Sequence, residues 1–278
     1  MISTTDKIEA IARILDVLYT LRTHCPWDKE QTMESLRANT IEEVYELSDA
    51  ILAQDISNLS KELGDVLLHV LFYARIAEEK GYFDLSDVCN RLCNKLIYRH
   101  PHIYGTTVAD NALEVEQSWE RIKQKEKDGN KTVLSGVPVS LPSVVKAYRI
   151  QDKARAVGFD WNRREDVWQK VKEEIAELEV ELNAGSLSEQ RIEEEFGDLF
   201  FSLINAARLY GVNPDNALEL TNKKFITRFN YVEQQALAQG KAVAEYSIGE
   251  LDFWWNEAKK NVAKKHNIKD ANEIKMNQ

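Results

Sequence analysis

The sequence predicts an all-α protein built by tandem duplication of one helical-bundle domain. Three observations carry this expectation. Apolar residues recur at intervals of three and four almost throughout, and no convincing run of alternating strand residues occurs. The 278 residues include only five prolines and eleven glycines, few interruptions for so long a chain. A set of short landmarks then appears twice in the same order.

Taken in order, Trp27 near the start of the first copy answers to Trp161. Ile41-Glu42-Glu43-Val44-Tyr45-Glu46-Leu47 is echoed by Lys172-Glu173-Glu174-Ile175-Ala176-Glu177-Leu178. Glu62-Leu63-Gly64-Asp65 is echoed by Glu195-Phe196-Gly197-Asp198. The offset is 131 from Glu43 to Glu174 and 133 from Glu62 to Glu195, so a two-residue loop difference separates the copies. Lys95 and Arg99 answer to Lys224 and Arg228, and Trp119 to Trp255. Helical periodicity breaks at Asp128-Gly129-Asn130 and Ser135-Gly136-Val137-Pro138. The expected divisions are copy one at 1–125, a linker at 126–142, copy two at 143–262 and a polar tail at 263–278.

Within copy two, Trp168, Val171, Ile175, Leu178 and Leu182 make one apolar stripe on a helix expected over 165–182. Asn183-Ala184-Gly185-Ser186 supplies a turn, and Ser186 with Glu189 has capping-box spacing. The next helix carries Ile192, Phe196, Leu199, Phe200 and Leu203 inward and stops at Gly211. Asn213 and Pro214 are the N-cap and first residue of a third helix. Short connections make consecutive helices antiparallel, hence a bundle.

The balance of 46 acidic against 36 basic residues gives a formal charge of −10. That excludes nucleic-acid polymers and anionic membranes as expected partners. An anionic small molecule stays compatible, because a divalent cation reverses the local field. Cys25, Cys89 and Cys93 match no zinc or redox pattern and read as buried reduced thiols. Charged residues interrupt any signal-peptide core near the N-terminus, and the apolar stretch 66–74 is too short to span a bilayer. A soluble cytoplasmic protein is expected.

Residues three apart share a helix face, so Glu174 pairs with Glu177 and Glu195 with Asp198. Helical-wheel positions put both pairs on the flank of their stripes, where packing gathers four carboxylates at the core's edge. Four gathered carboxylates need a compensating charge, and oxygen ligands suit Mg²⁺, with Mn²⁺ as a substitute. A lone Glu-x-x-Glu is usually a solvated face; the pair in Glu195-Phe196-Gly197-Asp198-Leu199-Phe200-Phe201 lies beside aromatics, where carboxylates need partners, and the acidic pattern itself occurs twice.

This arrangement, E-E-x-x-E, then E-[LF]-G-D, then K-x-x-x-R, resembles the all-α NTP pyrophosphohydrolase superfamily. The segments from Cys25 to Thr32, Arg99-His100-Pro101-His102 and Val157-Gly158-Phe159-Asp160-Trp161 resemble its two-domain MazG branch. The resemblance implies magnesium-dependent hydrolysis of NTPs and dNTPs to monophosphate and pyrophosphate, with broad base tolerance, in nucleotide-pool control or housecleaning. It implies a homodimer. It places metal and catalytic residues at Glu174, Glu177, Glu195 and Asp198. Substrate-binding positions fall on Lys170, Arg191, Glu194, Lys224, Arg228 and Trp255, where Trp255 either stacks on a base or packs in the core. Copy one offers Glu43, Glu46, Glu62 and Asp65 for metal, with Lys95, Arg99 and Trp119 for substrate. The main site is expected in copy two, because Asn39 and Asn58 stand where it has Lys170 and Arg191. The rival expectation is a helical scaffold that binds nucleotides or a protein without turnover.

Overall fold

A computed structural model describes residues 3–106, 111, 115, 122, 132–184 and 186–261. Trp119, the 126–131 part of the expected linker and the 263–278 tail lie outside the described residues. Every described regular element is helical, and no strand occurs among the described residues. The all-α expectation holds. The chain divides into two compact units, 1–129 and 130–278.

The first unit contains α1 (Thr4–His24), the short α2 (Pro26–Glu30), α3 (Met33–Ala53), α4 (Ile56–Glu79), α5 (Leu85–Arg99) and the single turn α6 (Pro101–Tyr104). Its starts are written locally. Ser3 and Asp6 form a capping box on α1, as do Thr32 and Ser35 on α3. Between α3 and α4 the chain reverses in two residues, with Gln54 left-handed at φ 55° and the Asp55 carboxylate accepting from Asn58 N–H. So short a connection makes α3 and α4 an antiparallel hairpin. Leu18, Leu36, Leu71, Phe72 and Ile76 close the core beneath it.

In the second unit follow α7 (Ser143–Ala156), α8 (Val167–Leu182), α9 (Glu189–Leu209), α10 (Pro214–Ala238) and α11 (248–261). Helices α8 and α9 repeat the α3–α4 hairpin. Asn213 caps α10 as expected, its Oδ1 accepting from the N–H groups of Asp215 and Asn216. Two expectations about helix starts need correction. Glu165 and Asp166 form a 3-10 turn ahead of α8, and α9 begins at Glu189 after an N-cap at Ser188. Glu189 is therefore the first helical residue rather than the third, too early to close a box with Ser186.

The buried stripes are also rotated from those expected. On α8 the buried residues are Val167, Val171, Glu174 and Leu178, while Trp168, Ile175 and Leu182 are exposed. On α9 they are Ser202, Ile204 and Ala206, while Phe196, Phe200 and Leu203 are exposed. Copy one repeats the displacement with exposed Val44 and Ile51 on α3 and exposed Leu63, Leu67 and Val70 on α4. Each hairpin thus carries two apolar stripes, one buried within its own unit and one open. Periodicity alone sees their sum. The cysteines, expected to be buried, are half-buried at Cys25 and exposed at Cys89 and Cys93.

Candidate active site

Rotation of the α8 stripe has a chemical consequence. Glu174 lies on the buried row between Val171 and Leu178, only 5% exposed, rather than on its flank. A buried carboxylate needs a partner. Lys170, one turn earlier, puts Nζ 2.7 Å from Glu174 Oε1 and donates to Glu173 Oε1 at the same distance. Both hydrogen bonds raise the lysine pKa, so it stays charged. Across the hairpin, α9 contributes Glu195, and one oxygen each of Glu174, Glu177 and Glu195 lie within 4.8 Å of one another. Desolvation, then the Glu174 charge, raises the Glu177 pKa. The fourth expected member, Asp198, is exposed and outside this group. Glu194 lies beside it on the outer face of α9 and accepts from Gln190 Nε2.

Copy one gathers a similar three: Glu43 from α3, Glu62 and Asp65 from α4. Glu46 is exposed and outside the group. Glu62 is 1% exposed; its Oε1 accepts from Lys61 Nζ at 2.9 Å, and its Oε2 is buried with no partner. Desolvation and the charges of Asp65, Glu46 and Glu62 raise the Glu43 pKa. Sequence reading missed Lys61, which stands where copy two has Glu194. The signal was available one residue before Glu62. Each cluster therefore holds one lysine, but from opposite helices of the hairpin.

The donor set fits a hard divalent cation. All the gathered ligand atoms are carboxylate oxygens, and Glu62 Oε2 is a buried acceptor that no side chain satisfies. Mutual repulsion that raises Glu43 and Glu177 is what a bound cation relieves.

The remaining expected residues are spread more widely. Arg191, at the start of α9, approaches Glu181 at 3.6 Å, reaching back across the hairpin turn. On α10, Lys224 is exposed; Arg228 stands 5.6 Å over the ring of Trp255, with its Nε buried and unpartnered. Trp255 also packs against Phe225, ring centroids 5.0 Å apart, in a cluster with Val232, Ala236 and Trp254. In copy one Lys95 lines a shallow groove with Phe83, Asp87, Val88, Arg91 and Leu92, and Arg99 ends α5.

No helix among the described residues is long and apolar enough to cross a membrane. Comparison with known proteins agrees with the geometry. The family model for the MazG nucleotide pyrophosphohydrolase domain matches twice, at residues 31–104 and 163–233. These stretches include both hairpins and both carboxylate clusters. The chain is 39% identical over 255 residues to the nucleoside triphosphate pyrophosphohydrolase of Escherichia coli (strain K12), covering 90% of this chain and 97% of that protein. It is 41% identical over 236 residues to the nucleoside triphosphate pyrophosphohydrolase/pyrophosphatase MazG of Thermotoga maritima, covering 84% and 89% respectively. With two carboxylate hairpins in one chain and two matches to one domain model, the protein belongs to the MazG nucleotide pyrophosphohydrolase family.

Proposed function

We propose that the chain is a magnesium-dependent nucleoside triphosphate pyrophosphohydrolase whose main active site is the α8–α9 hairpin. The relatives' named activity supports the reaction class over a scaffold without turnover. The observation that carries the site is the meeting of Glu174, Glu177 and Glu195 within 4.8 Å, with Lys170 on the same helix. Glu174, Glu177 and Glu195 would hold Mg²⁺, or Mn²⁺ in its place, which would supply Lewis-acid polarisation and a lowered pKa for water.

The chain's own residues do the rest. Glu174 is buried and tied to Lys170, which fixes one donor and leaves it unsuited to proton transfer. Glu177 is exposed and free of the lysine that ties Glu174, which makes it the carboxylate placed to accept the proton of the attacking water. Asp198, outside the gathered three, lies one turn from Glu195 on α9 and would be the fourth carboxylate to hold the metal. Lys170, Arg191 and Lys224 neutralise phosphate charge, and Glu194 sits beside them as a polar contact. Trp255 holds Arg228 in place for the same task. Water oxygen bonds to phosphorus, the anhydride bond between the α- and β-phosphates breaks, and NMP or dNMP leaves with pyrophosphate.

Copy one, with Glu43, Glu46, Glu62, Asp65, Lys95, Arg99 and Trp119, is a weaker site. The open stripes at equivalent positions of both hairpins support a homodimer, a second copy covering Leu63, Leu67 and Val70 or Phe196, Phe200 and Leu203. Base tolerance is broad, and the role is nucleotide-pool control or housecleaning in the cytoplasm. The test is pyrophosphate release from a panel of NTPs and dNTPs with and without Mg²⁺. Metal-dependent release with one NMP per pyrophosphate is expected. Stepwise orthophosphate release through the diphosphate sinks the reading.

A further inference from the structure

Copy one carries a cation of its own among the oxygens that would hold a metal. Lys61 on α4 puts Nζ 2.9 Å from Glu62 Oε1 and 3.8 Å from Asp65 Oδ2. Both partners belong to the gathered three of that copy, Glu43, Glu62 and Asp65. The lysine side chain is 64% exposed, so the ammonium arrives from the solvent side. Copy two is built differently. Lys170 divides its ammonium between Glu174 and Glu173, and Glu173 lies outside the gathered three. At the position equivalent to Lys61 copy two has a carboxylate, Glu194, which accepts from Gln190 Nε2.

Lys61 is an incomplete substitute for a metal. It donates to Glu62 at Oε1 alone. Glu62 is 1% exposed, and its Oε2 is buried without a partner. A buried charged oxygen left unpaired is destabilising. One ammonium against three carboxylates also leaves the cluster net negative. A hard divalent cation takes several oxygens at once, so it can satisfy Oε2 together with the neighbouring carboxylates. To reach them it must first displace the ammonium. The exposed, flexible lysine stem lets that happen by side-chain rotation alone.

We propose that Lys61 is a resident counter-ion that gates metal entry to copy one. Its own ammonium holds the cluster at Mg²⁺ concentrations that fill copy two, and a divalent cation enters only as Lys61 turns out to solvent. This rests on both clusters being metal sites and adds the order in which they fill. One chain then holds two metal affinities, and copy one responds to Mg²⁺ in the range where copy two is already saturated.

The test uses the full chain and Mn²⁺, whose binding is read directly by electron paramagnetic resonance. Native protein should show a tighter and a weaker class of site. Glu174→Gln with Glu195→Gln should remove the tighter class and leave copy one. In that background Lys61→Met, which keeps the stem and drops the charge, should tighten Mn²⁺ binding by about fivefold, the scale of one partly exposed ion pair. Lys61→Arg, which keeps the charge, should not. With Glu43→Gln in place of the copy-two substitutions, Lys61→Met should leave the tighter class unchanged. Circular dichroism checks folding, and Lys61→Gln serves where Lys61→Met does not fold. Unchanged affinity in both neutral variants overturns the gate, as does equal tightening in Lys61→Arg or at the tighter class. Two sites of equal affinity in the native chain overturn the gate and leave both metal sites standing. No Mn²⁺ binding at all overturns the gate together with the metal reading beneath it.

Discussion

Glu43 and Glu177 occupy equivalent clusters and share one electrostatic property: desolvation and neighbouring carboxylates raise both pKa values above the usual 4.5. The sign of the consequence follows from proton linkage. A carboxyl with a raised folded pKa binds its proton more tightly in the folded chain than in the unfolded one. Unfolding free energy therefore rises as pH falls through that raised value toward the unfolded one. Glu79 acts in the opposite direction, its pKa lowered chiefly by the hydrogen bond from Arg22. Its stabilising contribution is complete above the unfolded value and is lost as pH falls through the lower folded one. The two windows do not overlap. Metal-free protein should thus melt higher at pH 5.5 than at pH 7.5, and saturating Mg²⁺ should raise the melting temperature most at the higher pH. Scanning calorimetry at both pH values, with and without Mg²⁺, checks this. A metal-free melting temperature that falls between pH 7.5 and 5.5 contradicts the assigned repulsion.

At the level of elements, Arg22 shows how one side chain joins three pieces of chain. Its guanidinium donates to the backbone carbonyls of Asp28 and Gln31 and to the Glu79 carboxylate, tying α1 to the α2 turn and to α4. The side chain is 8% exposed, so these bonds are poorly screened. Arg22→Ala leaves the Glu79 charge and two carbonyls with less compensation and should cost about 2–4 kcal/mol of stability, with Arg22→Lys recovering part. Urea unfolding measures both; a cost below about 0.5 kcal/mol, the level of an ordinary surface substitution, refutes the assignment. Nothing in the sequence marks Arg22. Its partners lie up to 57 residues away, and a tertiary donor has no local signature. The hairpins were legible because period and repeat are local quantities, and so was the Asn213–Pro214 helix start. The rotated stripes of α3, α4, α8 and α9 were not, since periodicity cannot separate a face buried in its own unit from one left open. For the same reason Glu174 was expected on the flank of the stripe and is found within it.

For the whole molecule, the question is why one chain keeps two clusters and how unequal they are. Both hold three carboxylates within 4.8 Å, so the acidic residues do not separate them. The cations do, though less simply than Asn39 and Asn58 suggest. Copy one has Lys61 on Glu62, with its ammonium 3.8 Å from Asp65 as well. A lysine bridging two of the three carboxylates competes with a divalent cation for the same oxygens. In copy two Lys170 reaches Glu174 and Glu173, leaving Glu177 and Glu195 to a metal. The interiors differ in the same sense: copy one packs Phe72 and Tyr73, with Thr40 hydrogen-bonded to His69 and Tyr73, where copy two has Asn205 and Ala206. At these positions copy one carries the larger side chains. Glu174→Gln should lower pyrophosphate release by about a hundredfold or more, as loss of a preorganised charge at a phosphoryl centre does, whereas Glu43→Gln should leave it within about threefold. Lys61→Glu, which installs the copy-two residue, should strengthen Mg²⁺ binding at copy one without replacing the activity lost in Glu174→Gln. Steady-state turnover of the two single variants, each confirmed folded by circular dichroism, decides the matter. Equal losses in Glu43→Gln and Glu174→Gln would make the two hairpins a functional pair rather than a catalyst and its scaffold.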